Sequence, residues 1–397
     1  MPESSKVESY RWLILIIVYL SILAFTFIFQ SIPPVLPFIH SEMHLTYAQS
    51  GLLMSLFSLP GIFISLFGGF LSDRYAIRPL GAGCFLLMIG GTLLVGLGMD
   101  FQILGTGRVV AGVGALTLSV FLPKVLSQWF KDKELGLAMG IYNTGVPLGS
   151  VICFSLFGKM GNLWGWRLPI LLTGIYLVIT SILFLTLYRL PPLLEVREEK
   201  PLSIYKSLRE MGLPIWFVGL SWLWFNAAFT SFVTFAPDFF LGKNYTIEQS
   251  GLLIGIPLLG SLFFSAPIGY LVDRFKHQEW FISTGGIALA VLALFFNFSS
   301  SFLLLVILMG IFAAMIPAPI YSLPPEILKI KNVGTGFGVI STCSSVGLFV
   351  APFLVGKAKD LTGSSSWNFI FISLFSFFIM IFILLSGRLR NFHDQKL

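Results

Sequence analysis

A chain of 397 residues that is 56% hydrophobic and only 11% charged, with mean hydropathy +0.89, has too little polar surface to coat a soluble globule of its size. These proportions exclude soluble enzymes and binding modules and leave an integral membrane protein, in keeping with the 41 Phe, 39 Gly and 21 Pro, a usage that helices packed in lipid tolerate. The net charge of +7 is scattered over short loops, so it describes topology and not a nucleic-acid patch.

The N-terminus, with Lys6 and Arg11 ahead of a long apolar run and no small-residue cleavage site after it, reads as a first membrane span and not a signal peptide. A crossing helix needs about 20 apolar residues. By that measure the spans run 12–38, 49–70, 79–98, 101–124, 134–159 and 167–188, then 213–237, 249–272, 280–298, 301–324, 333–357 and 367–388. The most polar stretch, 189–212, separates a first six-helix domain (1–188) from a second (213–397) as a cytoplasmic linker. The expected fold is therefore an all-α membrane protein of twelve transmembrane helices.

Two internal correspondences relate the halves. Thr46 to Arg74 and Thr246 to Arg274, at an offset of 200, share 13 of 29 positions, beginning at Gln49 to Leu53 against Gln249 to Leu253 and ending in Asp73-Arg74 against Asp273-Arg274. At an offset of 198, Gly136, Gly140, Thr144, Gly149, Gly158 and Lys159 match Gly334, Gly338, Thr342, Gly347, Gly356 and Lys357, so span 5 matches span 11. Such repeats mark duplicated architectures. An offset of six spans makes the copies parallel, and small residues at four-residue spacing mark seams where helix backbones approach.

Lys and Arg set the orientation. With the termini inside, 19 lie on the cytoplasmic side, 5 outside (Lys159, Arg167, Lys243, Lys357 and Lys359), and Arg108 lies within a span. The three cysteines, Cys84, Cys153 and Cys343, all fall in apolar segments and read as packing residues, with neither a disulfide framework nor a metal site.

With these elements in place, the chain resembles the major facilitator superfamily of secondary transporters over essentially its whole length. The hinge Gly68 to Pro79 is similar to the family signature between helices 2 and 3 at Gly69, Asp73, Arg74 and Arg78, and departs from it at Ala76 and Ile77. Arg108 to Ala115 resembles the family's R-x-x-x-G-x-G-A motif, and Gly140 to Gly149 partly matches the helix 5 motif of antiporters. The resemblance implies alternating access about a central site, a plasma-membrane location with both termini cytoplasmic, a monomer, and no cofactor. It also implies that the hinge, with Asp273 and Arg274 as its second copy, is a conformational latch whose partner is span 11 near Val333.

A carboxylate at the end of span 2 can sit on the positive end of a neighbouring helix, while Arg74 and Arg78 can instead serve as positive-inside anchors. Arg108, a charge within the bilayer, either clamps an anionic substrate or satisfies helix-end carbonyls. Lys124 and Glu326, at the cytoplasmic ends of spans 4 and 10, are candidate gate charges. Depth counting places Phe25, Phe29, Tyr142, Asn143, Trp222, Trp224, Asn226, Ser341, Thr342 and Ser345 near the midplane as candidate substrate contacts, each of which could equally serve packing.

No Asp or Glu lies mid-span, and His40, His44, His277 and His393 lie in loops or tails, so a coupling proton would have to use Glu326, Asp238 or the substrate. The expected function is transport of a small organic or inorganic anion. Leu323 to Ser341 resembles the cyanate-permease and organic-anion branches, whereas the nitrate branch is disfavoured because spans 2 and 8 hold no arginine. The alternatives are a drug or metabolite exporter, and a non-transporting receptor on the same fold. The expected partners are a small-molecule substrate, a coupling proton if there is one, and the lipid bilayer.

Overall fold

The computed structural model describes residues 2–64, 77–130, 138, 141–189, 211–275, 277–299, 301–328 and 333–394. The described chain is helical: α1 (Pro2–Gln30), α2 (Leu36–Glu42), α3 (Tyr47–Ser55), α4 (Ile77–Leu97), α5 (Phe101–Trp129), α6 (Gly145–Ile152), α7 (Gly158–Trp164) and α8 (Arg167–Leu187) make the first half. In the second half follow α9 (Gly212–Leu241), α10 (Ile247–Phe275), α11 (Gln278–Phe295), α12 (Phe302–Ala314), α13 (Pro317–Ile327), α14 (Val333–Thr362) and α15 (Ser366–Asp394). Among the described residues, 11 helical stretches are long and apolar enough to cross a membrane. The remaining expected span, 49–70, comprises α3, a turn over 56–60 and helix over 61–64 before the description stops at residue 64. The linker between the halves, 190–210, also lies outside the described residues.

The repeat is written into the backbone. Thr46 and Thr246 open α3 and α10 with the same reciprocal cap. Each hydroxyl accepts from the backbone N–H of Gln49 or Gln249 (3.1 and 3.2 Å), and each glutamine side chain accepts from the threonine N–H (2.9 and 3.0 Å). Two orphan N–H groups of each helix start are thereby satisfied. His44 and Asn244, 200 residues apart, both take positive φ in the turns before these caps, and Gly165 and Gly363, 198 apart, take it at the ends of α7 and α14. The last two positions suit glycine because no Cβ opposes the left-handed conformation.

Each half has its own apolar core. In the first half Phe57, Phe85, Leu118, Phe121 and Phe184 belong to one buried cluster. In the second, Phe232, Phe240, Phe296, Phe369 and Ile379 belong to another, which also takes in Phe154 from the first half and has Tyr47 packed against it.

Glycines set the seams between the halves. A methyl group built on Gly51 would lie 2.0 Å from the carbonyl oxygen of Pro352, and one on Gly251 would lie 2.0 Å from that of Phe154. Likewise Gly356 abuts the carbonyl of Tyr47 and Gly158 abuts the side chain of Ile247. Since 51 and 251, 352 and 154, 356 and 158, and 47 and 247 are the paired repeat positions, the α3–α14 and α10–α6/α7 seams are copies of one contact. All four contacts lie toward the face that carries the turns 43–46, 242–246 and 363–365, called here the loop face. The opposite face carries the chain termini.

Candidate functional site

Three carbonyls surround the buried Arg108, which is 1% exposed and lies about 10 Å along α5 from its start. Its Nε donates to Leu53 O (3.2 Å), and its two terminal nitrogens donate to Ile28 O (2.7 Å) and Phe29 O (3.4 Å). Those carbonyls lie where their helices stop, and Ile28 O also accepts from the Ser31 hydroxyl (2.9 Å). Pro33 has no N–H to return to Phe29, and α3 gives way to a turn after Ser55. The guanidinium also lies 4.6 Å from the ring centroid of Phe57. Phe57 packs against Phe25 and Phe29 at centroid distances of 6.0 and 5.3 Å, so Phe25, Phe29 and Arg108 are brought together around one unpredicted ring.

The second half repeats the aromatic part of this arrangement. Phe25 stacks on Phe29 at 6.1 Å, and Phe225 stacks on Phe229 at 5.8 Å, again 200 residues on. Trp222 joins the second stack through Phe225 (5.1 Å) and meets Tyr321 edge-on (5.4 Å), and Tyr321 in turn tilts against Phe337. Phe225, Phe229, Tyr321 and Phe337 were not singled out from the sequence. Carrying the 200-residue offset back through span 1 would have found the first two.

The remaining candidates divide. Trp224 lies about 200° around α9 from Trp222 and packs against Phe375 and Phe378 of α15, so the two tryptophans are not brought together. Asn226 donates its amide N–H to Trp222 O (2.8 Å), while its amide oxygen accepts no hydrogen bond among the described residues. Asn143 is exposed and Tyr142 is buried in the first-half core. Ser345 donates to Ser341 O (3.1 Å) and touches span 2, since a methyl on Gly61 would come within 2.5 Å of its hydroxyl. Thr342 Oγ1 is buried without a hydrogen-bond partner among the described residues.

Of the expected latch, Gly69, Asp73 and Arg74 lie outside the described residues, as does the side chain of Asp273. Arg78 is exposed in the first turn of α4, and Arg274 is exposed in the last turn of α10. Lys124 lies within α5. Glu326 accepts from Gln278 (2.6 Å) and lies 3.7 Å from Arg390, which also pairs with Glu279 at 2.8 Å. Glu326 is thus engaged within its own half.

The loop face holds a cluster that the sequence placed in a loop. The expected span 11 ended at 357, but α14 continues to Thr362 and carries Lys359 and Asp360 into the seam. Lys359, 4% exposed, pairs with Asp238 and lies 3.6 Å from the ring centroid of Tyr47. Asp360 accepts from the backbone N–H groups of Tyr47 and Ala48, both at 2.7 Å. Stacked on Tyr47 at 4.4 Å, His40 also meets Ser50 Oγ at 3.2 Å and, with Asp238, helps to line a small cleft between the halves.

Two parallel six-helix halves, meeting along paired seams at one face, define a multi-pass membrane carrier of small solutes. Comparison with known proteins gives the family: the profile described as Major Facilitator Superfamily matches residues 18–248 and again 240–395, and the chain belongs to that family of non-enzymatic carriers. Among curated relatives, it is 24% identical to the hexuronate transporter of Bacillus subtilis over 84% of each chain. It is 23% identical to the probable nitrate transporter NarT of Staphylococcus epidermidis, over 91% of this chain and 93% of that one. With the lysosomal dipeptide transporter MFSD1 of Homo sapiens it shares 23% identity over 87% and 79%. Among solved structures, a bacterial homolog of the human lysosomal transporter Spinster superposes with TM-score 0.75 at 16% identity, covering 96% of both chains. The nucleoside transporter NupG superposes with TM-score 0.77 at 10% identity, covering 94% of this chain and 99% of that one.

Proposed function

We propose that the protein carries a small organic or inorganic anion across the plasma membrane by alternating access, with its termini and the 189–212 linker in the cytoplasm. One observation carries the mechanism: the two repeat-related seams close the loop face, so the described arrangement is one end state of a rocking pair of halves. With 19 of 25 basic residues on the terminus side, the loop face is the outer one and this state faces inward.

Support for an anion comes from the charge distribution and from relatives. The acidic residues of the spans sit near their ends, as Glu42, Asp238, Glu248, Glu279, Glu326 and Asp360 do, so the middle of the membrane offers no carboxylate to repel an anion or pair a cation. Hexuronate and nitrate, the solutes in two relatives' names, are both anions. Nitrate itself is not favoured, since spans 2 and 8 lack arginine.

In this reading the substrate lies between the Phe25/Phe29 and Phe225/Phe229 stacks, with Asn226, Asn143 and Ser341 as its polar contacts and Trp222 and Tyr321 as a wall. Arg108 shapes the site by tying α1, α3 and α5 together and does not clamp the ligand. The aromatic stacks also suit a lipophilic solute, which is the second reading. A thermal-shift panel of hexuronates, monocarboxylates, cyanate, nitrate and lipophilic amines separates the two, followed by uptake of the hits into proteoliposomes. A ligand at 100 times its Kd stabilises by about 2.7 kcal/mol. Saturable uptake of at least one anion is expected, and uptake of amines without any anion would overturn the anion reading.

A further inference from the structure

The two seams at the loop face are copies, but one of them carries charges the other lacks. By the 198-residue offset, Lys359 and Asp360 of α14 correspond to Gly161 and Asn162 of α7. Asn162 is exposed and makes no hydrogen bond among the described residues. Asp360, in contrast, reaches across the halves with both carboxylate oxygens on the first two N–H groups of α3. This pair departs from the repeat on the contact surface that must part, which is where a gate would be built.

The chemistry suits a reversible contact. The N-terminus of a helix offers unpaired N–H groups and partial positive charge, and a carboxylate there gains both hydrogen bonds and charge–dipole attraction. Thr46 and Gln49 already serve the neighbouring N–H groups through the reciprocal cap, so when Asp360 withdraws, α3 remains a capped helix and water can take the two vacated groups. Lys359 positions the carboxylate. Its ammonium is held by Asp238 within the second half and packed on Tyr47 of the first, so one side of the lock is fixed and the other slides free. Close approach of Gly356 to Tyr47 O puts the acid within reach.

We propose that Asp360 is the gating residue of the loop face: its carboxylate, set in place by Lys359, holds the start of α3 while that face is closed and releases it each time the face opens. This rests on the alternating-access reading above. It assigns to span 11 and span 2 a charge-on-helix-end contact at the loop face, opposite the Gly68 to Pro79 hinge.

The test uses the full chain in vesicles, with Cys84, Cys153 and Cys343 replaced by serine and one cysteine introduced as Ser50→Cys, a buried seam position. A membrane-impermeant maleimide is applied from the loop face. Asp360→Asn is expected to raise the modification rate at position 50 by about fivefold or more, the scale of one lost charge–dipole contact, and Asp360→Glu by less. In a parallel Ser341→Cys background, modification from the terminus face should slow, because opening one face closes the other. Unchanged rates at position 50 in both Asp360 variants would overturn the proposal. So would a rise at both positions, which would show general loosening of the fold. Because labelling needs no substrate, a shifted gate in a protein that carries no anion would leave this inference standing and remove only the anion reading.

Discussion

At the scale of single residues, the proposed structural role of Arg108 rests on its hydrogen bonds. Its three carbonyl partners end two helices, and a buried acceptor left unpaired costs about 1–3 kcal/mol. Arg108→Ala should therefore lower the melting temperature in detergent markedly, and Arg108→Lys should recover only part of it because an ammonium's donors share one nitrogen and lack the spread of the planar guanidinium. An alanine variant that melts like the parent but loses substrate affinity would restore the clamp. Asn226 and Asn143 make the opposite case. Each has an amide oxygen free among the described residues, so Asn226→Ala and Asn143→Ala should raise the apparent substrate constant in an uptake assay with little change in melting temperature. Wild-type constants in both variants would remove these residues from the site. The sequence pointed to Arg108 by charge alone and left its two roles open, because which carbonyls lack partners depends on where α1 and α3 break.

At the scale of helices and seams, the repeated glycines are contact points. Gly51→Ala and Gly251→Ala would each drive a methyl into a backbone carbonyl at the loop face, which neither helix can relieve by turning a side chain. Both should bias the carrier away from this closed state and cut the maximal transport rate severalfold. Gly83→Ala and Gly255→Ala, where nothing lies within 4 Å, should leave the rate near the parent's. Comparing initial uptake rates at saturating substrate in the four variants checks this, and equal rates would mean the seams tolerate displacement. Gly158 and Gly356 were legible as packing positions from their spacing, and Gly51 and Gly251 only as members of the repeat. Their partners were not, since the pairing of 51 with 352 and 251 with 154 exists only once the halves are assembled. Lys359 and Asp360 were misplaced in a loop because a charged pair after an apolar run reads as a span end, whereas contacts with Tyr47 and Ala48 from the other half keep α14 helical to Thr362.

At the scale of the whole molecule, hydropathy and the two offsets carried the architecture, because a bilayer forces backbone hydrogen bonds inside each span and makes span length readable. The substrate is less legible, since it depends on which faces of six or more helices converge. Trp222 and Trp224 are two residues apart and point to different neighbours. The hinge at Asp73 and Arg74 remains an expectation from sequence. If it locks the terminus face, Asp73→Asn should impair transport far more than Asp273→Asn, measured as maximal uptake rate, and equal effects would mean the two copies share the load. The motion that joins these parts can be followed directly. Spin labels at His44 and Leu361, both exposed at the loop face, and at Arg78 and Phe275, both exposed near the terminus face, report the distance between the halves at each end. On adding a transported anion to the reconstituted protein, the first distance should lengthen in part of the population as the second shortens. Distances that stay fixed, or that change in the same direction, would contradict alternating access by rocking halves.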